Sequence, residues 1–196
     1  MKIISGGQTG VDRAALDAAM KHGIDCGGWC PVGRLDEFGR IPDRYPLTEL
    51  GDEDKEGRSP PRGVGPSLRA VGLSESEAGP EADRPGRRGD RSQETRDVFA
   101  ERTLANVKDS DGTVVIYFGE PRGGTKFTVQ CCVEQKRSHK SIDAAELSAE
   151  RAAELIAEFV REQKIMTLNV AGPRASEWPD GYDYAFRALE NLLMIM

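Results

Sequence analysis

The sequence has few aromatic residues, no excess of positive charge and no long apolar run. Phe, Trp and Tyr make up 6% of its 196 residues, and the formal net charge is −6 with a pI near 5.1. A chain of net negative charge is a poor general partner for nucleic acid or for an anionic membrane. No segment is apolar over the length that a bilayer requires, and a strand pattern begins at once without a signal peptide. We therefore expect a cytoplasmic protein that binds neither nucleic acid nor membranes.

Cysteine and histidine are also scarce, and their positions match no standard metal site or catalytic triad. The four cysteines are Cys26, Cys30, Cys131 and Cys132, and the chain has two histidines. A three-residue gap and a pair of adjacent cysteines are not the spacings of zinc ligands. The histidines lie outside the glycine-rich turns, so a Ser-His-Asp arrangement has no support. We predict reduced, mostly buried thiols, no metal site and no assigned catalytic residue.

Residues 51–93 lack the amino acids that build a core. This segment contains no Phe, Tyr, Trp, Ile or Cys, and glycine, proline, arginine and acidic residues dominate it. Such a composition cannot bury enough apolar surface to offset the entropy lost on ordering. We predict a flexible, low-complexity insertion over residues 51–93, whose deletion leaves the fold intact. Residues 1–50 and 94–196 are then expected to form a single ligand-binding domain.

Outside that segment, strand and helix patterns alternate along the chain. Strand patterns cover residues 2–5, 25–30, 113–118 and 166–171, with a weaker one at 140–143. Helix patterns begin near Gly10, Glu94, Thr125, Ser148 and Gly181. The alternation predicts an α/β, Rossmann-like fold, in which a parallel sheet carries helices on both faces.

The first strand leads into a glycine-rich turn that opens a helix, in the run Ser5-Gly-Gly-Gln-Thr-Gly-Val-Asp-Arg13. Glycines allow close approach to the backbone, and the first amides of a helix suit an anion. The spacing matches neither a Walker loop nor a dinucleotide fingerprint. The turn therefore indicates an anion site of unknown ligand, with a plain strand-to-helix turn as the alternative. A β-branched residue at Gly7 is expected to block the ligand and to spare the fold.

Two further glycine-containing turns follow later strands, at residues 119–125 and 172–176. In an open parallel sheet all three turns lie at the carboxyl edge, where such folds bind their ligands. Each turn carries an arginine, namely Arg13, Arg122 and Arg174. Guanidinium groups beside helix N-termini favour phosphate or a related oxyanion, although each arginine is also compatible with a solvated surface charge.

The loop between residues 27 and 47 is long, irregular and rich in glycine and proline. Loops of this kind are either functional or disordered, and the aromatic residues Trp29 and Tyr45 argue against disorder. These two rings are candidates for the walls of a pocket that holds a flat heterocycle. The alternative is a local hydrophobic cluster that pins the loop.

Six blocks of the sequence resemble the molybdenum cofactor carrier family, a Rossmann-like group related to the lysine-decarboxylase-like phosphoribohydrolases. The blocks are Ser5-Gly-Gly-Gln-Thr-Gly-Val-Asp-Arg13, Gly28-Trp-Cys-Pro-x-Gly-Arg34, Ile41-Pro42 to Tyr45-Pro46-Leu47-x-Glu49, Arg102-Thr-x-x-Asn-Val-x-Asp-Ser-Asp-Gly112, Gly123-Gly-Thr125 and Leu168-Asn-Val-Ala-Gly-Pro-Arg174. The resemblance spans the chain apart from the insertion. It implies a homo-oligomer, a dimer or tetramer, that holds molybdenum cofactor (molybdopterin) and passes it to apo-molybdoenzymes.

Molybdopterin is a pterin with a terminal phosphate, so we expect the turns to hold the phosphate and the Trp29–Tyr45 region to hold the pterin. The candidate binding residues combine the three turns with the positions matched by the resemblance. They are Gly6, Gly7, Gln8, Thr9, Gly10, Asp12, Arg13, Trp29, Arg34, Tyr45, Asn106, Ser110, Arg122, Gly123, Gly124, Thr125 and Arg174.

Two other functions use the same turns and would take a phosphate-bearing nucleotide. One is a sensor of a nucleotide or ADP-ribose, and the other is a nucleoside-monophosphate phosphoribohydrolase. The related hydrolases carry a Pro-Gly-Gly-x-Gly-Thr-x-x-Glu turn, whereas this chain has Thr128 where the glutamate is expected. Cleavage of an N-glycosidic bond needs a carboxylate to stabilise positive charge or activate water. The sequence therefore favours binding over catalysis.

Overall fold

The computed structural model describes residues 1–51 and 91–196, with the backbone alone for residues 91–97. Of the predicted insertion, residues 52–90 lie outside the described residues, and 91–93 open a helix. No helix in the described part is long and apolar enough to span a membrane. The elements are β1 (Lys2–Ile4), α1 (Val11–Lys21), β2 (Cys26–Gly27), β3 (Trp29–Cys30), β4 (Thr48–Glu49), α2 (Arg91–Lys108), β5 (Gly112–Tyr117), α3 (Gly123–Glu134), β6 (Ser138–Asp143), α4 (Ala149–Glu162), β7 (Thr167–Ala171) and α5 (Gly181–Ile195).

Five of these strands form one parallel sheet in the order β2-β1-β7-β5-β6. The central strand β7 pairs on one side with β1 and on the other with β5, so Leu168 has Ile3 and Gly112 as its cross-strand neighbours. Parallel strands require crossover connections, and helices supply most of them here. The predicted α/β, Rossmann-like architecture is confirmed.

The strand order is that of a Rossmann fold read from a different starting point. If β7 is numbered first and β1, β2, β5 and β6 follow, the sheet reads 3-2-1-4-5, which is the Rossmann order. The order then reverses between β7 and β5. In open α/β sheets the crevice beyond the carboxyl ends of the strands at this reversal is the usual ligand position.

The helices cover both faces of the sheet. Helices α1, α4 and α5 pack together on one face, and α2 packs with α3 on the other. The first layer buries Ile3, Ile156, Leu168 and Leu189 completely. Burial of each such side chain contributes roughly 1.5–3 kcal/mol relative to exposure. The second layer is smaller and is centred on Val107 with two buried cysteines.

Helix α4 is stabilised by an N-terminal cap and by an apolar face. The Oγ of Ser148 accepts a hydrogen bond from the amide of Arg151 at 3.3 Å, which caps the N-terminus. Ala152, Ile156 and Val160 recur at the spacing of one helical face, and all three are buried. This apolar stripe is a core face, and the helix predicted to begin near Ser148 is confirmed.

The strand predicted over residues 25–30 is instead divided at Gly28. Gly28 has φ of +129°, and a Cβ atom there would lie 2.2 Å from the carbonyl oxygen of Ser5. The residues before Gly28 pair with β1, while Trp29 and Cys30 pair with β4 in a separate two-stranded parallel sheet. The chain thus leaves the main sheet at Gly28, and the long loop that follows begins beside its edge.

Candidate functional site

A small polar cleft lies at the carboxyl edge of the sheet, next to the crevice between β7 and β5. Four segments line it: the turn after β1, helix α2, the start of α3 and the loop after β7. Its volume of about 40 Å³ corresponds to roughly three water molecules, which suits the end group of a ligand. The lining residues are Gln8, Asp12, Arg102, Gly124, Thr125, Thr128, Ala171, Gly172, Arg174 and Glu177.

Arg102, from α2, is the central cation of the cleft. Its side chain is 14% exposed, and its Nη1 lies 4.0 Å from Oδ2 of Asp12. The guanidinium rests against the backbone of Gly6, where a Cβ atom would come within 2.8 Å of Cζ. Within the described part of the chain, its buried Nε and Nη1 have no hydrogen-bond partner. Burial lowers the pKa of Arg102, but a guanidinium stays charged in proteins, so two donors of a cation remain unused.

Arg174 brings a second positive charge to the same place. Its Cζ lies 5.9 Å from the ring centroid of Phe99, and the Cζ of Arg102 lies 5.7 Å from the same ring. The charge of Arg174 adds to burial in lowering the pKa of Arg102. The Nε of Arg174 is also 3.6 Å from Oε1 of Glu177. Two guanidinium groups around one ring repel each other, and an anion between them would relieve that repulsion.

Two buried neutral groups in the cleft also lack partners among the described residues. Thr125 is 3% exposed, and its Oγ1 makes no hydrogen bond. The Oε1 of Gln8 is unpaired as well, whereas its Nε2 donates to the carbonyl of Leu35 at 3.0 Å. A buried polar atom without a partner costs about 1–3 kcal/mol, and such atoms are rare in folded proteins. Their convergence with Arg102 indicates a polar ligand.

Asp12 is the buried carboxyl group of the cleft. Burial raises its pKa, while the charge of Arg102 and the hydrogen bond from the amide of Gln8, at 3.3 Å, act in the opposite direction. When ionised, Asp12 offsets one of the two guanidinium charges. When protonated, it leaves both charges available to an anion.

In the first turn, protein atoms fill the space beside two of the glycines that the sequence assigns to a ligand site. A Cβ atom at Gly10 would lie 2.6 Å from the carbonyl oxygen of Pro173, and that oxygen accepts from the amide of Val11 at 3.3 Å. Gly10 therefore lets two turns pack backbone against backbone. At Gly7, which has φ of +71°, a Cβ atom would lie 2.3 Å from Cδ1 of Leu47. The expectation that a β-branched residue at Gly7 spares the fold is wrong, because the space beside Gly7 holds a core side chain.

Two of the predicted arginines bind protein groups away from the cleft. Nη2 of Arg13 lies 2.5 Å from Oδ2 of Asp36, and its Nε donates to the carbonyl of Gly7 at 2.9 Å. Arg34 is buried and donates to the carbonyl oxygens of Leu47 at 2.9 Å, of Tyr45 at 2.8 Å and of Pro42 at 3.2 Å. These contacts fix the long loop after β3.

The aromatic pair predicted as a pocket wall lies inside the protein. Trp29 is 5% exposed and Tyr45 is 1% exposed, so neither ring face is open. Asn106 explains the position of Trp29, since its side chain bonds both the amide and the carbonyl of that residue at 2.9 and 3.0 Å. Ser110 is likewise occupied and donates to the carbonyl of Val107 at 3.0 Å. The hydrophobic cluster that pins the loop is the interpretation that fits this geometry.

Thr9 joins the first turn to the loop after β7. Its hydroxyl donates to Glu37 and accepts from the amide of Ala175 at 3.1 Å. Glu37 also accepts hydrogen bonds from the amide and hydroxyl of Ser176. Burial acts to raise the pKa of Glu37, but these hydrogen bonds outweigh it and lower the pKa. The carboxylate therefore acts as a tie between the two loops that border the cleft.

The start of α3 lies at the mouth of the cleft. Gly123 and Gly124 are exposed, and a Cβ atom at Gly124 would meet nothing within 4 Å. Arg122, just before the helix, is also exposed. Thr128 lies one turn further on, and its hydroxyl donates to the carbonyl of Gly124 at 3.0 Å. This end of the cleft is therefore open to an incoming group.

The four cysteines are free, and three of them are buried. Burial raises the pKa of each thiol, and that of Cys30 reaches about 11. Thiols of this kind stay protonated near neutral pH. Within residues 1–51 and 91–196, no cluster of three His, Cys, Asp or Glu side chains is placed to hold a metal ion.

The structure thus brings part of the predicted set together. Gln8, Asp12, Gly124, Thr125 and Arg174 line the cleft, and Gly6 lies beneath Arg102. The binding role of each predicted residue stays a prediction. Sequence reasoning did not select Phe99 or Arg102. Arg102 does open one of the six blocks quoted above, and that block was the available clue.

Comparison with known proteins supports the same architecture. The model of the circularly permutated YpsA SLOG family matches residues 3–61 and 75–193. A 1.45 Å crystal structure of a "putative molybdenum carrier protein" from Syntrophus aciditrophicus SB is 37% identical to this chain, with a TM-score of 0.72. The match covers 98% of this chain and 94% of that one. No curated protein matches. The strand order, with β7 in the place of a first strand, is what a circular permutation of a Rossmann fold produces.

Proposed function

The chain belongs to the circularly permutated YpsA SLOG family, and we propose that it is a carrier of molybdenum cofactor. The terminal phosphate of the cofactor would occupy the cleft between Arg102 and Arg174. The observation that supports this assignment is the pair of converging guanidinium groups with unused, buried donors on Arg102. A phosphate oxygen accepts such donors in charge-assisted hydrogen bonds, each worth about 1.5–3 kcal/mol.

The choice of cargo follows from two similarities. The structural relative from Syntrophus aciditrophicus is named a molybdenum carrier, and six sequence blocks resemble the molybdenum cofactor carrier family. The cofactor would be bound as cargo in the cytoplasm and transferred to an apo-molybdoenzyme. Assembly as a dimer or tetramer is part of the same proposal, and light scattering of the purified protein measures it.

Binding fits the cleft better than N-glycosidic hydrolysis. Thr128 stands where the related hydrolases have their glutamate, and its hydroxyl is already bonded to the helix backbone. The two carboxyl groups in the lining, Asp12 and Glu177, each lie beside an arginine. The nearby guanidinium offsets the negative charge of each carboxylate, which weakens its ability to stabilise a developing positive charge on a sugar.

Isothermal titration calorimetry with molybdopterin, AMP and ADP-ribose tests the proposal. We expect molybdopterin to bind the wild type, and we expect Arg102→Met and Arg174→Met each to weaken binding about 10-fold or more. Arg187→Met removes the same charge from an exposed position on α5 and serves as the matched control. Unchanged affinity in both cleft variants would overturn the assignment of the site.

The ligand series also separates the alternative functions. Binding of AMP or ADP-ribose without binding of molybdopterin would overturn the choice of cargo and favour a nucleotide protein. Release of free adenine from AMP would then indicate a hydrolase, and binding without turnover a sensor. A carrier should in addition increase cofactor insertion into an apo-molybdoenzyme, and Arg174→Met should reduce that increase.

A further inference from the structure

Two aromatic side chains stand at the carboxyl edge of the sheet, outside the polar cleft. Phe118 directly follows β5, and its side chain is 60% exposed. Its ring centroid lies 6.0 Å from that of Trp178, in the loop after β7. Trp178 in turn lies 5.6 Å from the ring of Tyr184 on α5. Phe118 and Trp178 lie in the loops that follow β5 and β7, the two strands between which the strand order reverses.

The surroundings hold this aromatic group in place. A Cβ atom at Gly181 would lie 2.7 Å from Cε3 of Trp178, so the indole rests on the first residue of α5. The hydroxyl of Tyr184 donates to the carbonyl of Leu147 at 2.8 Å. Phe118 is therefore backed by a ring that is itself supported on two sides. An exposed phenylalanine with such support offers a pre-formed flat surface.

The aromatic surface is adjacent to the proposed phosphate position. Trp178 follows Glu177, which lines the cleft, and its amide donates to the carbonyl of Arg174 at 3.0 Å. This hydrogen bond closes a single turn of chain, so Trp178 lies next to Arg174 in the same loop. On the opposite side, Oε1 of Glu177 lies 3.9 Å from the Cβ position of Gly123, where the loop that begins at Phe118 ends. The two loops meet at the mouth of the cleft.

We propose that the exposed face of Phe118, backed by Trp178, is the subsite on which the flat heterocycle of the ligand stacks. This inference rests on the proposed function, because it requires the phosphate of the same ligand to lie between Arg102 and Arg174. We assign this surface to the pterin ring. Aromatic side chains bind such rings through their faces, and this stacking depends little on ring substituents. The buried rings of Trp29 and Tyr45 offer no open face for this task.

Calorimetry with matched probes tests the subsite. The probes are 6-hydroxymethylpterin phosphate, AMP and inorganic phosphate, which lacks a ring. We expect Phe118→Ala to weaken the pterin phosphate about tenfold, which is about 1.4 kcal/mol, and to change the affinity for inorganic phosphate less than twofold. Phe38→Ala removes a more exposed phenylalanine, 77% exposed, from the loop after β3 and should change neither affinity.

The possible failures can be told apart. If the wild type binds no phosphate, or binds it independently of Arg174, the proposed function fails. If phosphate binding depends on Arg174 while Phe118→Ala leaves the pterin phosphate unaffected, the phosphate site stands and the aromatic subsite is overturned. Loss of affinity for AMP alone in Phe118→Ala would overturn the pterin as occupant.

Tryptophan fluorescence gives a second readout that a purely structural role for Phe118 would not change. The chain has two tryptophans, and Trp29 is buried with its indole nitrogen bonded to Asp109 at 2.6 Å. We expect the pterin phosphate to quench wild-type emission and to quench Trp178→Phe much less. The remaining Trp29 controls for light absorbed by the pterin. Equal quenching in the two proteins would contradict stacking beside Trp178.

Discussion

Two adjacent glycines in the first turn should respond to the same substitution in opposite ways. At Gly6, a new Cβ atom would meet the guanidinium of Arg102 at 2.8–2.9 Å, and the backbone there has no positive φ. At Gly7, a new Cβ atom would lie 2.3 Å from Cδ1 of Leu47, and the backbone of Gly7 has φ of +71°. The first neighbour is the mobile end of a long side chain that faces the cleft. The second is packed with Ile41 in a core cluster. Gly6→Ala should therefore change binding, and Gly7→Ala should change stability.

The expected magnitudes follow from these contacts. A left-handed conformation costs a residue with a Cβ roughly 1–2 kcal/mol, and overpacking of a core costs about 1–3 kcal/mol. We therefore expect Gly7→Ala to lower the free energy of unfolding by about 2–5 kcal/mol, or the Tm by about 5–20 °C for a domain of this size. In Gly6→Ala, displacement of Arg102 removes at least one charge-assisted hydrogen bond to the anion. That loss of about 1.5–3 kcal/mol weakens binding roughly 10- to 150-fold.

Both variants are measured by the same two methods, thermal unfolding followed by circular dichroism and calorimetric titration with inorganic phosphate. The reasoning is refuted if Gly6→Ala binds phosphate as the wild type does. It is equally refuted if Gly7→Ala unfolds at the wild-type temperature. Each variant is a control for the other. Gly6→Ala should unfold near the wild-type temperature, and Gly7→Ala should bind phosphate with an affinity near that of the wild type.

Three further predictions concern single residues. Burial raises the pKa of Asp12 above its ordinary value of 3.8, so just above that pH the folded protein binds more protons than the unfolded chain. The free energy of unfolding should therefore fall as the pH rises through this window. Urea unfolding at several pH values should show this fall in the wild type and not in Asp12→Asn. Asn106→Ala leaves the amide and carbonyl of buried Trp29 unpaired. We expect urea unfolding to show that the free energy of unfolding falls by about 2–4 kcal/mol, and a fall below about 0.5 kcal/mol would contradict this account. Arg34→Met removes donors to three carbonyl oxygens in residues 42–47, and hydrogen exchange should become faster in that loop while the rate in β7 is unchanged.

The regular elements could be predicted because their patterns are local. The stripe of α4 repeats within a few residues, and the strand patterns are short apolar runs between turns. The polar segment 138–143 gave only a weak pattern over 140–143, since β6 is an edge strand with little buried surface. The break at Gly28 was not visible, because its cause is the carbonyl of Ser5, which lies far from it in the sequence.

The site was harder to predict because similar residues have different partners. Arg13 and Arg174 both follow a glycine-rich turn, yet Asp36 binds the first and the second faces the cleft. No pattern in the sequence near Arg13 predicts its ion pair with Asp36. Arg102 lies within a helix, without a glycine-rich turn beside it, and its role depends on the bare backbone of Gly6. Contacts between distant segments thus decide which cations remain available.

The position of β7 has a consequence for how the chain is made. The pairs β1–β2 and β5–β6 are joined within the main sheet only through β7, which follows all four of them in the sequence. On the ribosome, both outer pairs therefore emerge before the strand that unites them. Until residues 167–171 are available, Ile3 and Val114 each lack the neighbour beside which they are finally buried. Folding of the sheet must wait for the end of synthesis of this segment, and so must completion of the cleft, since Arg174 emerges only after it.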